Sequence, residues 1–152
     1  LGRDDGAYLI ARAIQFFLPG VPQVYYVGLL AGENDMALLQ ASGVGRDINR
    51  HHYSRAEIDA QLQRSVVQQL LQLIRLRNSH PAFGGQFTLL DSPADVLAMK
   101  WQRGPATATL QVDLARRQGA ISWRDGTVVT ETLLADGTVC NRSESTGTVQ
   151  AA

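Results

Sequence analysis

The stretch LPGVPQVYYVGLLAGEND, residues 18–35, decides the fold, because it leads from the end of a helix through a strand into a long loop. Residues 4–18 begin with two acids suited to a helix N-terminus and continue with apolar residues at helical spacing. Pro19 and Gly20 end that helix. Residues 23–27 are β-branched and aromatic, which predicts a strand buried on both faces, as in a parallel sheet. A helix followed by such a strand indicates an α/β unit.

The long segment 28–53 comes directly after this predicted strand. Within it, only residues 34–41 have a pattern compatible with one or two helical turns. Loops longer than about 12–15 residues are uncommon in compact domains and are usually functional. Parallel sheets bind their ligands at the C-terminal ends of the strands. We therefore look for binding residues in this loop.

A second helical region follows the loop. Ser54 and Glu57 have the spacing of a capping box, which starts a helix. The apolar pattern predicts a bend around residues 61–64 and a helix that continues to His80, where Pro81 stops it.

From residue 84 onward the pattern changes to short alternating runs separated by turn residues. These runs predict a small antiparallel β domain with a frayed tail from residue 143. Trp101 and Trp123 are expected in its core, with carbohydrate stacking as the alternative. The predicted strands are residues 87–90, 96–101, 106–114, 120–123 and 127–130.

The composition excludes several classes of partner. Fourteen basic and fourteen acidic residues give a formal net charge of zero, so nothing favours nucleic acid or an anionic membrane. No apolar run approaches the ~18 residues of a membrane span. One cysteine and three histidines exclude a disulfide framework and leave little material for a metal site. We expect a cytoplasmic protein without metal or cofactor.

Specific motifs then carry a resemblance to a known family. GVPQVYY, residues 20–26, is similar to the last barrel strand of the alpha-amylase superfamily, glycoside hydrolase family 13. The longer stretch 18–35, with GRDINRH at residues 45–51 and Arg77-Asn78, resembles the sucrose phosphorylase family over residues 3–87. The resemblance implies that residues 1–83 are the C-terminal segment of a (β/α)8 TIM barrel and that residues 84–152 are a C-terminal antiparallel β domain.

The resemblance also implies an activity. In this family a barrel carboxylate attacks the anomeric carbon of sucrose, fructose leaves, and inorganic phosphate takes the glucosyl group with retention. Such a hexosyltransferase needs two carboxyl groups about 5 Å apart. The family's three acids lie on the fourth, fifth and seventh barrel strands, upstream of the strand predicted here. Since a whole barrel takes about 250 residues, we expect a C-terminal fragment that is inactive alone and contains no catalytic residue.

Four residues are candidates for substrate binding. By resemblance, Arg46 matches an arginine that lines the donor glucose subsite and pairs with an acid from an early barrel strand; the alternative is a solvated loop arginine. Asn49 would extend that network or satisfy the loop's own backbone. Asn34 and Asp35 would contact fructose or phosphate on the acceptor side, and the alternative is a polar turn at a helix start.

Several alternatives stay open at this point. Sucrose 6'-phosphate, glucosylglycerol or glucosylglycerate could replace sucrose as substrate, and a non-catalytic carbohydrate-binding module is the alternative to an enzyme. The sequence leaves homodimerisation of the full-length enzyme undecided. Six apolar residues are expected to face the missing barrel and so to leave an uncovered surface on this chain: Leu9, Phe16, Val24, Tyr26, Val66 and Leu70.

Overall fold

The computed structural model describes residues 4–126, 128–135 and 138–145. Its helical elements are α1 (Asp5–Phe17), α2 (Tyr26–Leu29), α3 (Met36–Ser42), a 3-10 helix (Gly45–Asn49), α4 (Arg55–Leu62), α5 (Ser65–Ser79) and a second 3-10 helix (Pro81–Gly84). The strands are β1 (Gln86–Leu90), β2 (Val96–Arg103), β3 (Ala106–Asp113), β4 (Gln118–Asp125), β5 (Val128–Ala135) and β6 (Thr138–Ser145). None of the helices in these ranges is long and apolar enough to cross a membrane.

Helices α1 and α4 begin where the sequence predicts. Asp4 caps α1, since its carboxylate accepts a hydrogen bond from the Ala7 backbone N–H at 2.9 Å. At α4, the Ser54 hydroxyl and the Glu57 carboxylate each accept from the other residue's backbone N–H, as a capping box requires. The predicted bend is confirmed, because α4 ends at Leu62 and α5 begins at Ser65.

The six strands form one antiparallel meander in the order β1 to β6. In β3, Ala106, Ala108, Leu110 and Val112 are buried at alternate positions, so one face of the sheet is covered. The prediction of a frayed tail is wrong for residues 143–145, which pair with β5, and residues 146–152 lie outside the described part of the chain.

Helix α1 lies against that face of the sheet, α5 packs against α1, and the three share one core. Leu9, Phe16, Val66 and Leu70 are at most 3% exposed, so the expectation that they leave an uncovered surface is wrong. They are buried because α1 packs against both α5 and the sheet within this chain. The other two residues in that expectation are more accessible: Val24 is half-buried, and Tyr26 is 38% exposed.

The strand predicted at residues 23–27 is not formed. Residues 21–25 belong to no helix or strand, and α2 begins at Tyr26. Tyr25 does have extended backbone angles, φ −72° and ψ 152°. A strand exists only by hydrogen bonding to neighbours, and all strands of the described sheet lie after residue 85 and pair with one another. The prediction is therefore corrected for this chain, although the backbone of Tyr25 is compatible with a strand.

Arg77, which contributes to the family resemblance, connects α5 with two other parts of the molecule. Its guanidinium lies 4.7 Å from the ring centre of Phe83 and 4.9 Å from that of Trp101. It also donates a hydrogen bond to the Gly20 carbonyl at 3.0 Å. Burial lowers the pKa of Arg77 from its ordinary value. The side chain thus links the start of the 20–25 segment to the helix–sheet junction.

Trp101 belongs to the core, as predicted. It is 7% exposed, and its indole N–H donates to the Phe17 carbonyl at the end of α1 over 2.7 Å. This bond satisfies one of the carbonyls that a helix C-terminus leaves without a partner.

Replacing Trp101 by phenylalanine should lower the free energy of unfolding by about 1–3 kcal/mol, because a buried carbonyl loses its donor while an aromatic ring is kept. Urea unfolding followed by circular dichroism measures the change. Trp123→Phe is the matched control, since Trp123 is only partly buried and the same substitution there should have the smaller effect. Equal losses at both positions would show that the hydrogen bond to Phe17 contributes nothing.

Candidate functional site

The segment 28–53, expected to be a long loop, contains the end of α2, helix α3 and the first 3-10 helix. Asp35 caps α3 by accepting a hydrogen bond from the Leu38 N–H at 2.8 Å, and its own N–H donates to the Ile48 carbonyl at 2.7 Å. Helix α3 ends at Ser42, and the residue that caps it, Gly43, has a φ of 66°, which suits glycine. The chain then forms the 3-10 helix that carries Arg46 and Asn49. The Asp35–Ile48 bond closes residues 35–48 into a compact loop.

The four predicted binding residues fall into two groups. Asn34 and Asp35 line a cleft of about 490 Å³ together with residues of α4 and the segment before it. Arg46 and Asn49 are exposed on the 3-10 helix and are not among the residues that line this cleft. In the described ranges, neither side chain has a hydrogen bond or ion pair. The structure therefore leaves both side chains accessible to a partner outside the described residues.

Asp35 is also held by a histidine. His51 Nδ1 lies 2.7 Å from Asp35 Oδ2, and on the other side of the ring Nε2 lies 3.6 Å from Glu57 Oε1. Both carboxylate oxygens of Asp35 are thus occupied by the fold, one by His51 and one by the Leu38 N–H. This arrangement agrees with the alternative reading of Asp35 as a residue of a turn at a helix start.

The pKa values in this cluster shift in the directions that ion pairing produces. The hydrogen bond to Asp35 raises the pKa of His51, with a further contribution from Glu57, while burial opposes the rise. The hydrogen bonds from His51 and from the Leu38 N–H lower the pKa of Asp35. The Ser54 backbone N–H is the largest cause that lowers the pKa of Glu57. At mildly acidic pH the cluster therefore holds one cation between two anions.

Two tyrosines complete the wall beside His51. The Tyr26 hydroxyl donates to the His51 carbonyl at 3.0 Å, and the Tyr53 ring meets the His51 ring edge to face at 4.6 Å. A Cβ added to Gly32 would lie 2.0 Å from the Tyr53 hydroxyl, so the absence of a side chain there allows the close approach. Burial raises the pKa of Tyr53.

Arg64 forms the far side of the cleft. Its guanidinium donates to the Ala31 carbonyl at 3.2 Å and lies 3.4 Å from the Asp5 carboxylate. Ala31 has a φ of 47°, which is uncommon for a residue with a side chain. These contacts connect the start of the loop to α1 and to the junction of α4 and α5.

The sequence did not indicate Arg64 as a member of this site, and it did not indicate the partners of His51. The partners of His51 are 16 and 6 positions away along the chain, and no helical or strand period connects them. Glu57 was found only as part of a capping box. Within the described residues, no group of three or more histidine, cysteine, aspartate and glutamate side chains could hold a metal ion.

No family model matches the chain. Individual enzymes do match it. The chain is 52% identical to sucrose phosphorylase of Agrobacterium vitis over 122 residues, which are 80% of this chain and 25% of that enzyme. It is 48% identical to sucrose 6(F)-phosphate phosphorylase of Thermoanaerobacterium thermosaccharolyticum over 123 residues, or 81% and 25% of the two chains. Glucosylglycerol phosphorylase of Marinobacter adhaerens is 49% identical over 125 residues, or 82% and 26%.

A solved structure agrees with these sequences. The crystal structure of sucrose 6F-phosphate phosphorylase from Thermoanaerobacter thermosaccharolyticum superposes with a TM-score of 0.79 at 42% identity, covering 91% of this chain and 26% of the other. The chain thus spans about a quarter of the length of the relatives that it matches. It is thus homologous to the C-terminal region of sucrose phosphorylases and related phosphorylases.

Proposed function

We propose that this chain supplies one wall of the substrate pocket in a sucrose phosphorylase, which converts sucrose and inorganic phosphate to glucose 1-phosphate and fructose. The observation that carries the proposal is the 52% identity to sucrose phosphorylase of Agrobacterium vitis over 122 residues. The related phosphorylases, at 48% and 49% identity, are named for sucrose 6(F)-phosphate and for glucosylglycerol, two substrates that both contain a glucosyl unit and differ in the rest of the molecule. The contribution of this chain is therefore assigned to the glucosyl side of the pocket.

Exposed apolar side chains between residues 18 and 26 support this proposal. Four large apolar or aromatic side chains lie close together in the sequence and are exposed, which is unusual. They are Leu18 (48%), Val21 (89%), Tyr25 (50%) and Tyr26 (38%). In the larger enzyme we assign residues 23–27 to the last strand of a TIM barrel of the alpha-amylase superfamily, where neighbouring strands would cover these side chains. The barrel segment then ends at residue 83, and the β domain follows from residue 84.

Arg46 is the residue that we assign to the donor glucose subsite. A guanidinium can bind a carboxylate and sugar hydroxyls at the same time, because its five N–H donors lie in one plane. Its exposure and lack of a partner within the described ranges support this role, since the acid expected to pair with it lies upstream. Asn49, on the same 3-10 helix, is assigned to the same network.

Asn34 and Asp35 are assigned to the acceptor side, where fructose leaves and phosphate enters. Asn34 is exposed at the edge of the cleft and is free to bind a ligand, whereas Asp35 is held by His51 and by the α3 backbone. Asp35 therefore acts mainly by shaping this edge. The two reacting carboxyl groups, about 5 Å apart in a retaining enzyme, belong to the upstream part. Cytoplasmic location and homodimer formation stay predictions.

A chimera tests the proposed function. This chain replaces the matching quarter of the Agrobacterium vitis enzyme, and formation of glucose 1-phosphate from sucrose and phosphate is measured. We expect the chimera to be active, and we expect the 152-residue chain alone and the truncated enzyme alone to be inactive, because neither has a complete pocket.

Two outcomes would contradict the proposal. A chimera that melts cooperatively but forms no glucose 1-phosphate would show that this chain does not fit the enzyme's pocket. Saturable binding of sugar to the isolated chain, together with an inactive chimera, would favour a carbohydrate-binding module.

A further inference from the structure

His51 lies between two carboxylates that come from different elements. Residues 35–50, which comprise α3 and the 3-10 helix with their caps, are called the 35–50 loop below. Asp35 is the first residue of this loop and caps α3, whereas Glu57 lies in the first turn of α4. We propose that His51 is a positioning residue that fastens the 35–50 loop to α4 when its imidazole is protonated. The inference rests on the proposed function only for the use of the loop, since Arg46 and Asn49 are carried on it.

The geometry favours the charged form of the ring. Nδ1 faces Asp35 Oδ2 at 2.7 Å and Nε2 faces Glu57 Oε1 at 3.6 Å. A neutral imidazole has a single N–H, so one of its nitrogens would present a lone pair to a carboxylate oxygen. Only the imidazolium offers a proton to both sides. Loss of the proton therefore replaces one attraction with a repulsion.

The other groups around the ring do not replace this proton. Tyr53 contacts the imidazole only through its aromatic ring, and the Tyr26 hydroxyl donates to the His51 carbonyl instead of to the imidazole. Glu33 and Arg64 line the same cleft. Arg64 is engaged by the Ala31 carbonyl, Gln61 and Asp5. The carboxylates of Asp35 and Glu57 are thus the groups that face the imidazole nitrogens.

Backbone hydrogen bonds connect Asp35, which His51 holds, to the 3-10 helix that carries Arg46. The Asp35 N–H donates to the Ile48 carbonyl at 2.7 Å, and the Arg50 N–H donates to the Asp47 carbonyl at 3.0 Å. A displacement of Asp35 therefore moves the 3-10 helix on which Arg46 and Asn49 lie. The side chains assigned to glucose depend in this way on a ring that does not itself have to touch the sugar.

The pH dependence follows from the directions of the two pKa shifts. The raised pKa of His51 means that its contribution to loop closure is present at low pH and is lost as pH rises through that pKa. The lowered pKa of Asp35 means that its contribution is lost only as pH falls through that value. The loop is therefore held most firmly around pH 5–6 and loosens as the solution becomes alkaline.

The experiment follows the 152-residue chain by NMR. The titration of the His51 ring gives its pKa, and amide hydrogen exchange gives protection factors for residues 35–50. We expect these protection factors to fall on the order of threefold to tenfold between about pH 5.5 and about pH 8.5. Amides in the centre of β3 report global stability and serve as the internal reference.

Three variants separate the fastening from a general structural effect. Asp35→Asn and Glu57→Gln remove one charge each, while asparagine still caps a helix and glutamine still completes a capping box. Both should lower the pKa of His51 and reduce the change in protection with pH. His52→Asn, at the exposed neighbouring histidine, should leave the pH dependence of the loop intact.

An unchanged His51 titration in both charge variants would overturn the proposal, as would loop protection that is the same on either side of the His51 midpoint. These readouts need no sugar and no turnover. An inactive chimera would therefore refute the proposed function without affecting this test, and a loop insensitive to pH would refute the fastening while leaving the proposed function in place.

Discussion

Arg46→Lys in the active chimera is expected to lower kcat/KM for sucrose on the order of a hundredfold, although the positive charge is kept. An ammonium group cannot reproduce the planar, two-pronged contact that would hold an upstream acid and the glucosyl ring together. The same ring is bound before and during reaction, so both KM and kcat should worsen. Steady-state phosphorolysis of sucrose measures both parameters.

The neighbouring Arg50→Lys is the control for this prediction. Both arginines belong to the GRDINRH stretch, but Arg50 is half-buried at the end of the 3-10 helix, whereas Arg46 is exposed on it. We expect the Arg50 variant to stay within about threefold of the unmodified chimera. Small and equal effects at the two positions would remove Arg46 from the glucose subsite.

Leu70→Ala should lower the free energy of unfolding of the 152-residue chain by about 2–5 kcal/mol, because it leaves a cavity at a site that is 0% exposed. Leu70 lies on α5 and belongs to the core shared by α1, α5 and the sheet. Urea unfolding monitored by circular dichroism measures the loss.

Leu89→Ala is the matched control for the core. Leu89 lies on β1 and is 62% exposed, so its truncation should change stability by no more than about 0.5 kcal/mol. If the two variants were equally stable, the core shared by the helices and the sheet would not be formed in this chain. The apolar surface would then be uncovered, as the sequence predicts.

Local signals in the sequence were sufficient for the three longest helices. The acids at residues 4–5, the capping box at Ser54 and Pro81 each satisfy or interrupt backbone hydrogen bonds within a few residues, so α1, α4 and α5 were predicted closely. Strands β1 to β5 were also predicted from their alternating apolar residues, with bounds that differ by a few positions. These elements depend on neighbours that lie close by in sequence.

The failures depend on partners distant in sequence or outside the chain. Residues 23–27 carry a strand pattern but have no strand beside them here. Strand β6 was missed because its sequence is polar and gives little alternation, although its backbone pairs with β5. The contact between His51 and Asp35 joins loop positions 16 residues apart, which no periodic pattern connects.

Exchange into three host enzymes tests most directly whether this chain supplies the glucosyl side of a phosphorylase pocket. The chain would replace the matching quarter of sucrose phosphorylase of Agrobacterium vitis, sucrose 6(F)-phosphate phosphorylase of Thermoanaerobacterium thermosaccharolyticum and glucosylglycerol phosphorylase of Marinobacter adhaerens. The kcat/KM of each chimera is measured for all three substrates with phosphate. The account predicts that each chimera keeps the preference of its host and that Arg46→Lys weakens all three. A preference that follows this chain into every host, or activity that is insensitive to Arg46 in every host, would contradict it.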